Sequence, residues 1–329
     1  VTAGFKCFES NKIRSFRRYS GNLGELRISE LSLQCAADTL RWIHNDLPDN
    51  EFQLQLDEAL SRLQQSAGPL PLEVRLDGRL LAACYFKPLP GNVATLGGVR
   101  AAPQAAPLAA QLLRQQVQRL LDRSVAQIQA VVPASDPDTL PLIQQAGFQY
   151  LTEIQHLWRK ATPGDERPAR HPLRSLNQAK WEWRPANSLA KSRMARLVDA
   201  TFADTLDCPA LNQLRCREEV LQGFLDGRDF RRLSQWQVLY HDSQPVGCLL
   251  LTAHPNAVVE LAYMGLVPEA RGQQLGSGML QRAIDASRKL DAKALVVAVD
   301  ENNWPALAIY RSRGFQLHQQ LSVWLANSD

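Results

Sequence analysis

Apolar residues along this chain recur with two alternating periods, and their succession predicts the elements. Strand-like alternation or short apolar runs cover residues 26–32, 93–99, 128–132, 181–186, 236–241, 246–252, 258–267, 294–300 and 321–325. LEVRLDGRLLAACYF adds a hairpin with Asp77 and Gly78 as its turn. Helical spacing covers 36–44, 51–65, 108–121, 138–145, 189–202 and 215–225. It returns after a glycine-containing stretch at Leu275, Met279, Leu280, Ala283, Ile284 and Leu290. The first 24 residues are polar and basic without a clear period, which predicts a poorly ordered arm or a surface strap.

The two halves follow one order of elements, so an internal repeat is expected. A single fixed offset carries Phe315 onto Phe148, Gly314 onto Gly147, Gly265 onto Gly98, Leu280 onto Leu113 and Val299 onto Val132 without a gap. Between the halves, residues 161–180 hold three prolines, mixed charges and no apolar period, and they read as a linker. The predicted organisation is a domain over residues 1–162, a linker over 163–179 and a second domain over 180–329. The fold class is α/β of the mixed α+β kind.

Composition narrows the picture. At 329 residues and 45% hydrophobic content, the chain can pack two cores. Its longest apolar runs, 248–251 and 294–299, fall far short of the roughly 18 residues of a membrane span, and residues 1–12 lack the apolar core of a signal peptide. A cytoplasmic protein without a membrane partner is expected. The net charge of +4 comes from scattered residues. Arg14, Arg17 and Arg18, and later Arg228, Arg231 and Arg232, read as solvated faces because no aromatic residues interleave them, so no nucleic-acid partner is expected. The six cysteines show no CxxC spacing and the six histidines no HxxxH, which predicts neither a disulfide framework nor a metal site.

The candidate chemistry concentrates after residue 258. RGQQLGSG sits where a strand hands over to a helix, and the first N–H groups of a helix lack partners and carry partial positive charge. Gly272, Gly276 and Gly278 would let an anion approach those groups, and Arg271 could add a charge-assisted contact. An ordinary turn before a helix has the same pattern, so the loop alone leaves both readings open. Downstream come Asn302, Asn303, Ala306, Tyr310 and the pair Gly314 and Phe315. This succession resembles the GNAT superfamily of acyl-CoA-dependent N-acyltransferases, whose pattern is a strand, (Q/R)xxGx(G/A), a helix, a strand, an asparagine, and a tyrosine shortly before Gly-Phe. Gln273, Gly276 and Gly278 fill the loop pattern, with Asn303 and Tyr310 in the later places.

The resemblance implies two tandem GNAT-like domains, each a mixed, mostly antiparallel sheet flanked by helices, with acetyl-CoA as the acyl donor. Backbone at Met264, Gly265 and Leu266 would pair with pantetheine amides like an added strand, Gly265 marking a bulge that opens the edge. The pyrophosphate would lie over Arg271, Gly272, Gln273, Gln274, Leu275, Gly276, Ser277 and Gly278, with Asn303 nearby. The tandem arrangement is similar to the two-domain group that includes mycothiol synthase, in which the C-terminal copy is the catalytic one. In the first copy the offset sets Ala105, Ala109 and Gln111 at the three glycines, Ile143 at Tyr310 and Val93 at Glu260, so that copy is expected to have lost acyl-CoA binding and chemistry.

Acyl transfer to an amine needs a base for the ammonium and a proton for the departing thiolate. Glu260, the only acid in its strand, is the candidate base, and Tyr310, by the family position, the candidate acid. An exposed strand residue and a half-buried aromatic are the plain alternatives. The turn from Ala203 to Gln213, with Asp204, Asp207 and Asn212, borders the acceptor in the resembling family. The expected activity is N-acetylation of a primary amine on a small molecule. A protein N-terminal or lysine acetyltransferase and a non-catalytic acyl-CoA sensor are the alternatives, and the presence of both Glu260 and Tyr310 weighs against the sensor.

Overall fold

The computed structural model describes residues 14–21, 24–31, 36–45, 47–48, 53, 56, 71–89, 92–123, 125–161, 181–212, 217–225, 229–254 and 256–327. The chain forms two compact units, Val1–Tyr150 with Trp324–Asp329, and Leu151–Val323.

The first unit runs β1 (Arg14–Gly21), β2 (Gly24–Glu30), α1 (Ala36–Ile43), β3 (Leu72–Leu76), β4 (Arg79–Leu89), β5 (Val93–Ala101), α2 (Ala106–Leu121), β6 (Gln127–Pro133) and α3 (Thr139–Gln145). Its strands lie in the order β1-β2-β3-β4-β5-β6, antiparallel except for the parallel pair β5–β6. Residues 14–21, expected in an arm, are instead a strand paired with β2. An edge hairpin is held by main-chain bonds that an irregular side-chain pattern does not report. Residues 1–13 and all of the 51–65 helix except 53 and 56 lie outside the described residues. Asp77 and Gly78 turn the β3–β4 hairpin with φ of 47° and 80°, the two positive angles that a tight two-residue turn requires. Phe86, Leu113, Ile128 and Ile143 centre the core, and Trp324 and Ala326 belong to it.

The second unit takes in β7 (Gln149–Lys160), β8 (Trp181–Pro185), α4 (Lys191–Phe202), α5 (Pro209–Asn212), α6 (Arg217–Leu225), β9 (Gln237–His241), β10 (Gln244–His254), β11 (Val258–Leu266), α7 (Leu275–Lys289), β12 (Ala294–Asp300), α8 (Trp304–Ser312) and most of β13 (Gln316–Asn327). β7 runs antiparallel beside β12, from Ala294↔Lys160 to Asp300↔Ile154, and β8 to β11 complete the order β7-β12-β11-β10-β9-β8. This pairing puts residues 151–160 in the second unit, so the units divide at Tyr150 and not at the expected residue 162. The expected linker, 163–179, lies outside the described residues. One face of the sheet packs Leu249, Leu251, Leu261 and Val297 against α7 and α8. The other packs Val238, Cys248 and Leu250 against α4 and α6.

Strand registers align the repeat. Leu251 pairs with Leu261 as Phe86 pairs with Leu96, and the β10–β11 slip at Ala262 matches the β4–β5 slip at Gly97. Glu260 therefore corresponds to Thr95 and Gly265 to Arg100, not to Val93 and Gly98 as an ungapped offset gives. The offset changes at the next loop, which differs in length between the units. In the first unit α2 follows the 3-10 turn Pro103–Ala105 directly, whereas in the second unit residues 271–274 separate the turn Pro268–Ala270 from α7. Among the described residues no helix is long and apolar enough to cross a membrane, and no three His, Cys, Asp or Glu side chains are grouped to hold a metal ion.

Candidate functional site

β11 and β12 are paired only at Val258↔Ala294, Val259↔Leu295 and Glu260↔Val296. Beyond these rungs a cleft of about 280 Å³ opens between residues 261–266 and 297–299. The bulge that accompanies the opening sits at Ala262, where the register with β10 slips, and not at Gly265. Gly265 meets a different demand. A Cβ there would lie 2.7 Å from both Thr201 Oγ1 and the Tyr263 hydroxyl, so glycine is what lets α4 close onto the strand.

Met264, Gly265 and Leu266 line the cleft with their β12-facing edge outside the ladder, an open edge that an extended amide chain fits. At the cleft's other end, Gly272 (φ 75°) and Gln274 (φ 60°) turn the chain into α7, and the Gln274 side chain does not cap that helix. Among the described residues its first N–H groups have no side-chain acceptor, which fits an anion seat. Gly276 lines the cleft, and a Cβ there would sit 3.1 Å from Ile309 Cδ1, so it also keeps α7 close to α8. Leu275 is buried in the core and Gly278 within the helix, leaving only their backbone for an anion. Ser277 Oγ accepts from Arg313 (2.8 Å), and Gln273 donates to the Glu269 carbonyl (3.3 Å).

Arg271, expected to contact phosphate, lines the cleft and is held by main-chain carbonyls. Its guanidinium donates to the carbonyls of Leu266 (3.1 Å), Asp204 (3.3 Å), Thr201 (3.0 Å) and Ala203 (2.7 Å). These include the last carbonyls of α4, which carry partial negative charge and have no partner inside the helix. Arg271 thus ties the end of α4 to the end of β11.

Tyr310 lies on α8, buried against Phe315 with its flank on the cleft. Burial, and secondarily the charge of Asp207, push its pKa well above the usual phenol value, so the hydroxyl stays protonated at neutral pH. Asn303 lines the cleft and caps α8, its side-chain oxygen accepting from Ala306 N–H (3.3 Å). Asp204 and Asp207 also line the cleft. Asn212 ends α5, and only its backbone is described. Glu260 occupies the last paired rung, one residue before the cleft wall begins. Its carboxylate is 39% exposed and 2.9 Å from His254 Nε2. The cleft therefore brings Tyr310, Asn303, Gly276 and the two aspartates together, with Glu260 at its vertex.

Three residues escaped the sequence reading. Asp300, at the end of β12 and 1% exposed, accepts from Thr152 Oγ1 (3.2 Å), Asn302 N (2.8 Å), Asn302 Nδ2 (3.0 Å) and Cys208 N (3.1 Å). Its own N–H donates to Asp207 Oδ1 (2.8 Å). Tyr263 and Thr201 form a hydroxyl pair at 2.9 Å. Because Thr201 donates to the Val198 carbonyl (2.6 Å), the tyrosine is the donor in that pair. None carries a motif, and their roles rest on partners distant in sequence.

Residues 200–315 match the model of the Acetyltransferase (GNAT) family. Solved structures share the fold at low identity. A GCN5-related N-acetyltransferase from Sphaerobacter thermophilus is 16% identical with a TM-score of 0.64, the match covering 92% of this chain and 95% of that one. A tandem GNAT protein from the clavulanic acid biosynthesis pathway is 17% identical with a TM-score of 0.59, covering 93% and 100%. The third is a glucosamine N-acetyltransferase region of a fungal multi-domain β-N-acetylglucosaminidase, 13% identical with a TM-score of 0.66, covering 92% of this chain and 38% of that one.

Proposed function

We propose that this chain, a member of the GNAT superfamily, is an N-acetyltransferase that moves an acetyl group from acetyl-CoA to a primary amine of a small-molecule acceptor. One observation carries the reading: an open strand edge, an uncapped helix N-terminus and a buried, protonated tyrosine converge on a single cleft. The edge at Met264–Leu266 would hold the pantetheine amides, and the N–H groups from Leu275 onward the pyrophosphate. Tyr310 would give its proton to the thiolate as the thioester bond breaks. Glu260, at the vertex, would take the proton of the acceptor ammonium through water, and its contact with His254 fixes the carboxylate there. Asp204 and Asp207 on the rim favour a cationic acceptor.

The test is release of free thiol from acetyl-CoA in the presence of a panel of small amines and of peptides, run beside calorimetric binding of acetyl-CoA. Thiol release with a small amine supports the reading. Release with peptides alone makes the chain a protein acetyltransferase, and binding without release makes it a sensor. Replacing Glu260 with Gln should lower the rate on the order of 100-fold or more with acetyl-CoA binding intact, and the loss should shrink at high pH, where the amine is already neutral. A Glu260→Gln enzyme with an unchanged pH profile removes the base role.

A further inference from the structure

Tyr263 is fixed in place more tightly than a wall residue needs to be. Its ring is stacked on Phe202 at 4.8 Å and tilted against Phe224 at 5.1 Å, and its hydroxyl donates to Thr201, itself tied to the Val198 carbonyl. Two aromatic contacts and a directed hydrogen bond leave the side chain no alternative rotamer without losing all three. The hydroxyl end presses on Gly265, where a Cβ would come within 2.7 Å of it. A ring held this way cannot swing aside.

The place of this ring decides its consequence. Along β11 the open edge starts after Glu260 and runs to Leu266, and Tyr263 stands midway between the vertex and the strand end. It projects to the α4 side, while Leu261 and Met264 pack toward α7. On the reading that the cleft takes an acyl-CoA with its pantetheine along Met264–Leu266, the acyl group comes next along the strand, where Tyr263 lines the cleft.

We infer that Tyr263 is the residue that limits acyl length, its locked ring closing the space beyond a two-carbon group. The inference rests on the proposed donor site and adds the determinant of donor choice. A rigid wall weakens binding of an acyl group too long for the space by roughly 10-fold or more in all, whereas a mobile side chain would yield.

Calorimetric binding of free CoA, acetyl-CoA, butanoyl-CoA and octanoyl-CoA tests this without any acceptor. The wild-type chain should bind free CoA and acetyl-CoA alike, and both butanoyl-CoA and octanoyl-CoA at least about 10-fold more weakly. Tyr263→Ala and the milder Tyr263→Leu should close that gap with free CoA affinity kept, which also reports that the variants are folded. Tyr263→Phe retains the ring and should retain the gap. Equal wild-type binding of acetyl-CoA and octanoyl-CoA overturns the inference, as does a gap that persists in a Tyr263→Ala or Tyr263→Leu chain still able to bind free CoA. Failure of the wild-type chain to bind free CoA overturns instead the donor site itself, and the inference with it.

Discussion

A guanidinium that donates to four carbonyls has little left for a phosphate, and this sets the role of Arg271. Truncation to Ala would leave the end of α4 and the end of β11 without their shared donor, at a cost of roughly 1–3 kcal/mol, and lysine cannot restore a fork of four bonds. Thermal melting of Arg271→Ala and Arg271→Lys should show both less stable than wild type, with a smaller effect on acetyl-CoA affinity by calorimetry. A variant with wild-type melting but lost affinity would return Arg271 to the phosphate. The thiols of Cys84 and Cys248, pushed up to about 12 by burial, should resist alkylation at pH 8 in the native protein, as mass spectrometry of the modified peptides would report. His156 adds a pH term. Burial first, and His318 second, lower its pKa below the model-compound value of 6.5, with Glu260 opposing. The unfolded chain therefore binds the proton first as pH falls, so stability is lost progressively below about 6.5. Denaturant midpoints at pH 7.5 and 5.5 should differ less in His156→Gln than in wild type. At this scale the place of Tyr310 and Asn303 in the cleft lining was legible because fixed spacing carries it. The four-carbonyl anchorage of Arg271 was not legible, because the carbonyls of α4 that hold it lie some 70 positions away.

Elements whose periods were regular, such as α7 and the β3–β4 hairpin, were readable to within a few residues, because one buried face imposes the pattern. β7 was not, since few of its residues are buried on either face and pairing with β12 holds it. The bulge at Ala262 was equally hidden, because a bulge is a property of two strands in register. Asp300 joins three elements in the same way. It holds β7 through Thr152 and the α4–α5 loop through Cys208 and Asp207, which positions an aspartate on the cleft rim. In Asp300→Asn one acceptor oxygen becomes a donor facing N–H groups, which should cost about 1–3 kcal/mol and free the loop. Thermal melting should register the loss. With an acceptor in hand, its KM should rise while acetyl-CoA affinity stays, a split that a purely global loss of stability would not produce.

At the scale of the whole molecule, the repeat predicts how many sites the chain has. Both units splay their parallel pair after three rungs, β5 from β6 as β11 from β12. What differs is local. The first unit has no counterpart of residues 271–274, so α2 starts straight from its turn without the positive-φ residues that bend the chain into α7. Arg100, at the position of Gly265, donates to the Trp42 carbonyl and Asn45 and lies over the Trp42 ring at 5.6 Å. The ring of Tyr85 lies across Gly97, where a Cβ would approach within 2.2 Å, and its hydroxyl is 2.8 Å from His44 Nε2. A missing loop and large side chains set against the bulge leave the first unit without the anion seat and the free strand face of the second. Calorimetry should therefore give one acetyl-CoA per chain. Gly276→Trp, which places a bulky group where a Cβ alone already meets Ile309 at 3.1 Å, should reduce that number to none. A stoichiometry of two, or one site surviving in Gly276→Trp, would mean that the first unit binds the coenzyme by contacts other than a glycine loop.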